Sequence, residues 1–127
     1  MAEHPEKRIL IVDDASLVRR YYRDALERAG FAVEEAFNGV EALEKVDECD
    51  LVIVDVNMPQ MDGFTFIRTL RRQPGPVSSL PALVTSTEAG PQDVRAARSA
   101  GANFYLVKPV SQAVLVEHVA MMCGRPA

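Results

Sequence analysis

The stretch Leu51–Gly63, LVIVDVNMPQMDG, runs four consecutive apolar residues into Asp55 and then into two chain breakers, Asn-Met-Pro and Met-Asp-Gly. A short unbroken apolar run bounded by turn residues is the pattern of a strand buried on both faces, as in a parallel sheet. A carboxylate delivered to the end of such a strand costs free energy unless it has a partner or a use. Asp55 is therefore the first candidate functional residue.

Working outward, the same alternation of strand and helix recurs along the chain. Ile9–Val12 reads as a strand. Leu17, Val18, Tyr21, Tyr22, Ala25, Leu26 and Ala29 then share one face of a helix, with Ser16 as its expected N-cap and Gly30 as its stop. Ala32–Ala36 carries two glutamates and reads as an edge strand. Gly39–Asp47 places Val40, Leu43 and Val46 at helical spacing. Phe64–Arg72 reads as a helix closed by Gln-Pro-Gly-Pro. Ala82–Ser86 is a strand, Pro91–Ala100 a helix with Pro91 in its first turn and Gly101 after its end, and Phe104–Val107 the last strand. Ser111 is the expected cap of a final helix with Val114, Leu115, His118, Val119 and Met122 on one face. Five strand–helix repeats with apolar strands predict an α/β fold, a doubly wound parallel sheet covered on both sides.

The whole chain, residues 1–127, is expected to be one domain, with its core at about residues 8–122 and no effector domain attached. A composition that is 48% hydrophobic and 25% charged is that of a globular chain, and the net charge of −4 gives no basic surface for nucleic acid. No apolar run approaches the ~20 residues of a membrane helix, and the start MAEHPEKR is not a signal peptide, so a cytoplasmic location is expected. Cys49 and Cys123 have no metal-type spacing and are read as reduced thiols. His4 and His118 are read as tail and helix residues.

In a doubly wound sheet the ligand site lies beyond the carboxyl ends of the strands. Those ends carry Asp13-Asp14, Asp55, Thr85-Ser86 and Lys108-Pro109. Three carboxylates on one edge repel one another, and a divalent cation such as Mg²⁺ relieves that repulsion through oxygen ligands. Lys108 opposite them could pair with one or stabilise an incoming anion. A carboxylate beside Mg²⁺, a lysine and a hydroxyl is equipped to accept a phosphoryl group. Each piece alone has an ordinary explanation: an acidic pair after a strand is often a turn or cap, and Lys-Pro is usually a loop. The functional reading rests on their joint arrangement.

The segments ILIVDDASLVRR, EEAFNGVEAL, DLVIVDVNMPQMDGF, LPALVTSTEA and SAGANFYLVKPVS, spanning about Arg8 to Met122, are similar to the receiver domains of bacterial two-component response regulators, and most of all to the single-domain, chemotaxis-type ones. The resemblance implies a flavodoxin-like five-stranded parallel sheet, order 2-1-3-4-5, flanked by five helices. It implies that Asp55 is the phosphoacceptor, charged by the phosphohistidine of a sensor histidine kinase or histidine phosphotransfer protein. Mg²⁺ would be held by Asp14 directly, by Asp13 through water, by Asp55 and by the backbone carbonyl of Asn57. Ser86 would be the switch hydroxyl, with Thr85 on the opposite face of the strand. Lys108 would contact the phosphoryl group, Tyr105 would be the aromatic that moves with the switch, and the bond to Pro109 would be cis. Asn57 and Glu88 match the positions that tune hydrolysis of the acyl phosphate. Thr87 departs from the small residue usual there, and slower dephosphorylation is expected from it. An unidentified downstream protein would bind the face formed by residues 91–122, where Arg95 and Arg98 lie beside Phe104 and Tyr105.

Two other readings compete. A Mg²⁺-dependent aspartyl phosphohydrolase would carry a second aspartate two residues after its nucleophile, where this chain has Asn57, and a cap insertion that is absent. A nucleotide or flavin binder would need a glycine-rich loop after the first strand, whereas DDAS is acidic.

Overall fold

A computed structural model describes residues 6–124 of the chain; His4 lies outside them. Five strands, β1 (Arg8–Val12), β2 (Ala32–Ala36), β3 (Leu51–Asp55), β4 (Ala82–Ser86) and β5 (Phe104–Val107), alternate with five helices. The helices are α1 (Ser16–Arg28), α2 (Gly39–Leu43), α3 (Gly63–Arg71), α4 (Pro91–Ala100) and α5 (Gln112–Met122). Short 3₁₀ turns follow α2 at Val46–Glu48 and α3 at Pro76–Ser79. All strand pairs are parallel and the order is β2-β1-β3-β4-β5. The doubly wound sheet read from the strand–helix alternation is thus the observed one, with β2 at an edge.

Alternate residues of each strand feed two cores. Leu10, Val12, Val52, Val54, Ala82 and Val84 pack under α3 and α4 with Phe66, Ile67, Leu70 and Ala97. Ile9, Ile11, Leu51, Ile53 and Leu83 pack under α1 and α5 with Tyr22, Leu26, Leu115 and Val119. β3 is buried at every residue, Asp55 included. Asp55 and its register partner Thr85 continue the face of Ile53 and Leu83, while Ser86 continues that of Ala82 and Val84.

Several local details differ from the sequence reading. Ser16 is the first residue of α1 rather than its cap. Ala15 holds the extended cap position, and its N–H is taken by the Asp13 carboxylate at 2.9 Å, so the turn is fixed from upstream. Leu17 and Tyr21 are exposed, because none of the described residues covers the first turns of α1 on that side. α2 stops at Leu43: the Glu44 and Lys45 amides bond carbonyls three residues back, tightening the chain into the 3₁₀ turn that buries Val46. Val40 is exposed and α5 buries Ala120 in place of Val114. Ser111 does cap α5, its Oγ accepting from the Val114 N–H at 3.2 Å.

Two features brace the connections. Asp62 caps α3 by accepting from the Thr65 N–H at 2.9 Å. At Gly63 a Cβ would collide with the Asp55 carbonyl, so only glycine lets α3 start this close to the end of β3. Farther down, the Arg71 guanidinium donates to the carbonyls of Ser78, Leu80 and Gly101 and to Asn103 Oδ1, tying the α3–β4 and α4–β5 connections together.

Candidate functional site

The carboxyl ends of β1 and β3 bring Asp13, Asp14 and Asp55 together, with one carboxylate oxygen of each within 4.8 Å of the others. Asp13 and Asp55 are buried and Asp14 is exposed. Lys108, just beyond β5, reaches across: its Nζ lies 2.9 Å from Asp13 Oδ2 and 3.3 Å from Asp55 Oδ1. The Lys108–Pro109 peptide is cis.

The lysine is shared unequally. Burial pushes Lys108 toward its neutral form, but the hydrogen bond and charge of Asp13, then the charge of Asp55, outweigh that and raise its pKa. Asp55 moves the other way in effect. Burial and the neighbouring Asp13 charge raise its carboxyl pKa, and Lys108 and the Asn57 backbone amide only partly oppose them. Asp13 takes the lysine, and Asp55 is left desolvated beside a like charge.

The remaining predicted residues lie after β3, at and after the end of β4, and on β5. Asn57 is exposed in the turn after β3, with its backbone beside Asp55. Ser86 is buried at the end of β4, and its Oγ accepts from the Glu88 N–H at 3.0 Å. Tyr105 Oη donates to the Glu88 carbonyl at 2.7 Å, so the amide and the carbonyl of Glu88 are held by the two candidate switch residues. Thr87 is exposed and borders an apolar groove of about 550 Å³ with Leu17, Tyr21, Tyr22 and Lys108.

Two neighbours escaped the sequence reading as site residues. Tyr22, assigned to the core face of α1, lies near Lys108, Asp13 and Asp55; burial raises its phenol pKa, with Lys108 opposing. Arg19 donates Nη1 to the Asp13 carbonyl at 2.6 Å and Nε to Glu35 Oε1 at 2.8 Å. The one signal for Arg19 is its place one turn into the helix that follows an acidic pair.

The donor set fits a hard divalent cation: three clustered carboxylates, with an exposed Asp14 that makes no hydrogen bond or ion pair among the described residues. Among the described residues no helix is long and apolar enough to cross a membrane.

Known proteins are similar to this chain over most of its length. The chemotaxis protein CheY1 of Helicobacter pylori is 37% identical over 121 residues, covering 92% of this chain and 97% of that protein. The gliding motility regulatory protein of Myxococcus xanthus is 41% identical over 103 residues, which are 80% of this chain but 13% of that protein. Among solved structures, the chemotaxis response regulator CheY4 of Vibrio cholerae superposes with a TM-score of 0.86 at 34% identity, over 93% of this chain and 99% of that one. A putative response regulator from Chloroflexus aurantiacus gives 0.87 at 33%, over 95% and 100%. The sequence profile of the response regulator receiver domain matches residues 9–120. With that match added to the sheet order and the acidic crevice, the chain belongs to the response regulator receiver family of two-component signalling.

Proposed function

We propose that the protein is a phosphorylation-controlled signalling switch whose acceptor is Asp55. The observation that carries this reading is a buried carboxylate fixed at the end of a fully buried strand, 3.3 Å from a lysine ammonium and beside two further carboxylates. An Asp55 carboxylate oxygen attacks the phosphorus of a phosphohistidine on a sensor kinase or phosphotransfer protein. The P–N bond breaks, and its electron pair leaves on the imidazole nitrogen, which takes up a proton. Phosphoryl transfer depends chiefly on positioning and on neutralising charge. Lys108 supplies part of that neutralisation. Asp13, Asp14, Asp55 and the Asn57 carbonyl would hold Mg²⁺, which when bound offsets the charge on the phosphoryl oxygens.

The readout runs through Glu88. Ser86 grips its amide and Tyr105 its carbonyl, so turning the Ser86 hydroxyl toward a phosphoryl group loosens the β4–α4 loop that Tyr105 also holds. The surface beyond is α4, β5 and α5, where Arg95 and Arg98 are exposed on α4, Arg98 shares a groove with Phe104, and Phe104, itself 43% exposed, is stacked edge-on against His118. A downstream protein would bind there, with no nucleic acid or membrane involved, in the cytoplasm. The similar proteins named for chemotaxis make motility one candidate output. Thr87, at the mouth of the crevice, would slow the approach of water to the acyl phosphate.

Incubation with a small phosphodonor and Mg²⁺ should add one phosphoryl group to the wild type and none to Asp55→Asn, read by intact-protein mass. Labelling that survives Asp55→Asn would move the acceptor elsewhere. Steady turnover of a phosphomonoester would point instead to a phosphohydrolase.

A further inference from the structure

The side of the acidic turn away from Lys108 is held by an ionic network that phosphoryl transfer does not itself use. Glu35 on β2 takes Arg19 Nε on one carboxylate oxygen at 2.8 Å and Arg23 Nη1 on the other at 2.5 Å. Its backbone carbonyl accepts from Lys45 Nζ at 2.6 Å. The Arg19 and Glu35 side chains are 17% and 26% exposed, so the pair is largely shielded from water. With Glu35 orienting it, Arg19 turns Nη1 to the Asp13 carbonyl at 2.6 Å.

That carbonyl belongs to the peptide joining Asp13 to Asp14. Every polar group of Asp13 is engaged: its N–H by the Ala36 carbonyl at 3.1 Å, its carboxylate by Ala15 and Lys108, its C=O by Arg19. Asp14 has no such contacts among the described residues, so the plane of the preceding peptide is what aims its side chain. We propose that Arg19, held by Glu35, is a positioning residue for divalent-cation binding, fixing the 13–14 peptide so that the free Asp14 carboxylate meets those of Asp13 and Asp55. The inference rests on the metal reading above. Arg23 provides the contrast, since it shares Glu35 but does not touch the acidic turn.

Mg²⁺ titration calorimetry on the unphosphorylated protein tests this. Residues that orient metal ligands through hydrogen bonds are worth about 10–100-fold in affinity. Arg19→Gln should raise the Mg²⁺ Kd about tenfold. Arg19→Lys keeps the charge but not the two-pronged reach, and should fall between. Arg23→Gln should leave Kd within about twofold even where urea denaturation shows that it loses as much stability as Arg19→Gln. Equal Kd values for wild type and both Arg19 variants would overturn the inference, as would an Arg23→Gln loss matching that of Arg19→Gln. A wild type whose Mg²⁺ heat is no larger than that of Asp14→Ala would instead remove the metal site itself, and this inference with it.

Discussion

Thr85 offers a sharp test of how the site is built. Its side chain is fully buried, and Oγ1 has no hydrogen-bond partner, the one such side-chain atom among the described residues. The Tyr22 phenol lies close by and is the neighbour to test as a partner. Thr85→Val exchanges the hydroxyl for a methyl of similar size and keeps the branched side chain that suits a strand. A buried hydroxyl without a partner costs about 1–3 kcal/mol. The variant should therefore be more stable by about 1–2 kcal/mol. For a chain of this length each kcal/mol corresponds to roughly 3–6 °C in Tm, so a rise of about 3–12 °C is expected. Urea denaturation followed by circular dichroism should show a higher midpoint at unchanged slope. Thr85→Ser is the control. It keeps the hydroxyl and loses a methyl, and should cost about 1 kcal/mol. A destabilised Thr85→Val would refute the reasoning and mean that the hydroxyl is bonded in solution. A Tyr22→Phe double-mutant cycle would then name the partner.

Other consequences are testable in parallel. Because the Asp55 carboxyl pKa is raised by burial and by Asp13, the native protein binds more protons than the unfolded chain above the ordinary Asp value near 3.9. Stability attributable to this group falls as pH rises through that window, so Asp55→Asn should be more stable than wild type at pH 7, with the gap closing toward about pH 3.5. A gap that persists or reverses in acid would contradict this. The Lys108 pKa is raised by Asp13, so its contribution is present below the ordinary lysine value near 10.4 and lost as pH climbs past it. Lys108→Met should accordingly flatten the alkaline end of the stability profile. Arg71→Ala strands three loop carbonyls and should cost about 2–4 kcal/mol in urea denaturation, whereas a loss under about 1 kcal/mol would show that water replaces the guanidinium. Thr87→Ala should shorten the acyl-phosphate lifetime several-fold, measured as loss of the labelled species after donor removal.

How far the chain could be read in advance depended on the range of the interactions. The strands were legible because each is a short apolar run set apart by turn signals, and parallel burial leaves little room for another pattern. Asp13, Asp14, Asp55 and Lys108 were legible because strand ends in such a sheet meet at one edge. Errors gathered where the outcome depends on distant packing. Leu17 and Tyr21 have core-like spacing, but none of the described residues covers them. Ser16 has the right chemistry for a cap, but the Asp13 carboxylate had already fixed the turn. Arg19 gave almost no signal, since its partners Glu35 and Asp13 lie on two other segments and only the β1–β2 register brings them together.

The charge balance of the crevice has a consequence for specificity in time. Three carboxylates face a single ammonium, so under the proposed function an anionic phosphoryl group would approach an excess of acidic side chains. Such a crevice would disfavour free phosphate and other stray anions. Under the proposed function, transfer would need cation and donor together, which would make the site a logical AND gate. Electrostatics would then screen the acceptor against spurious signals.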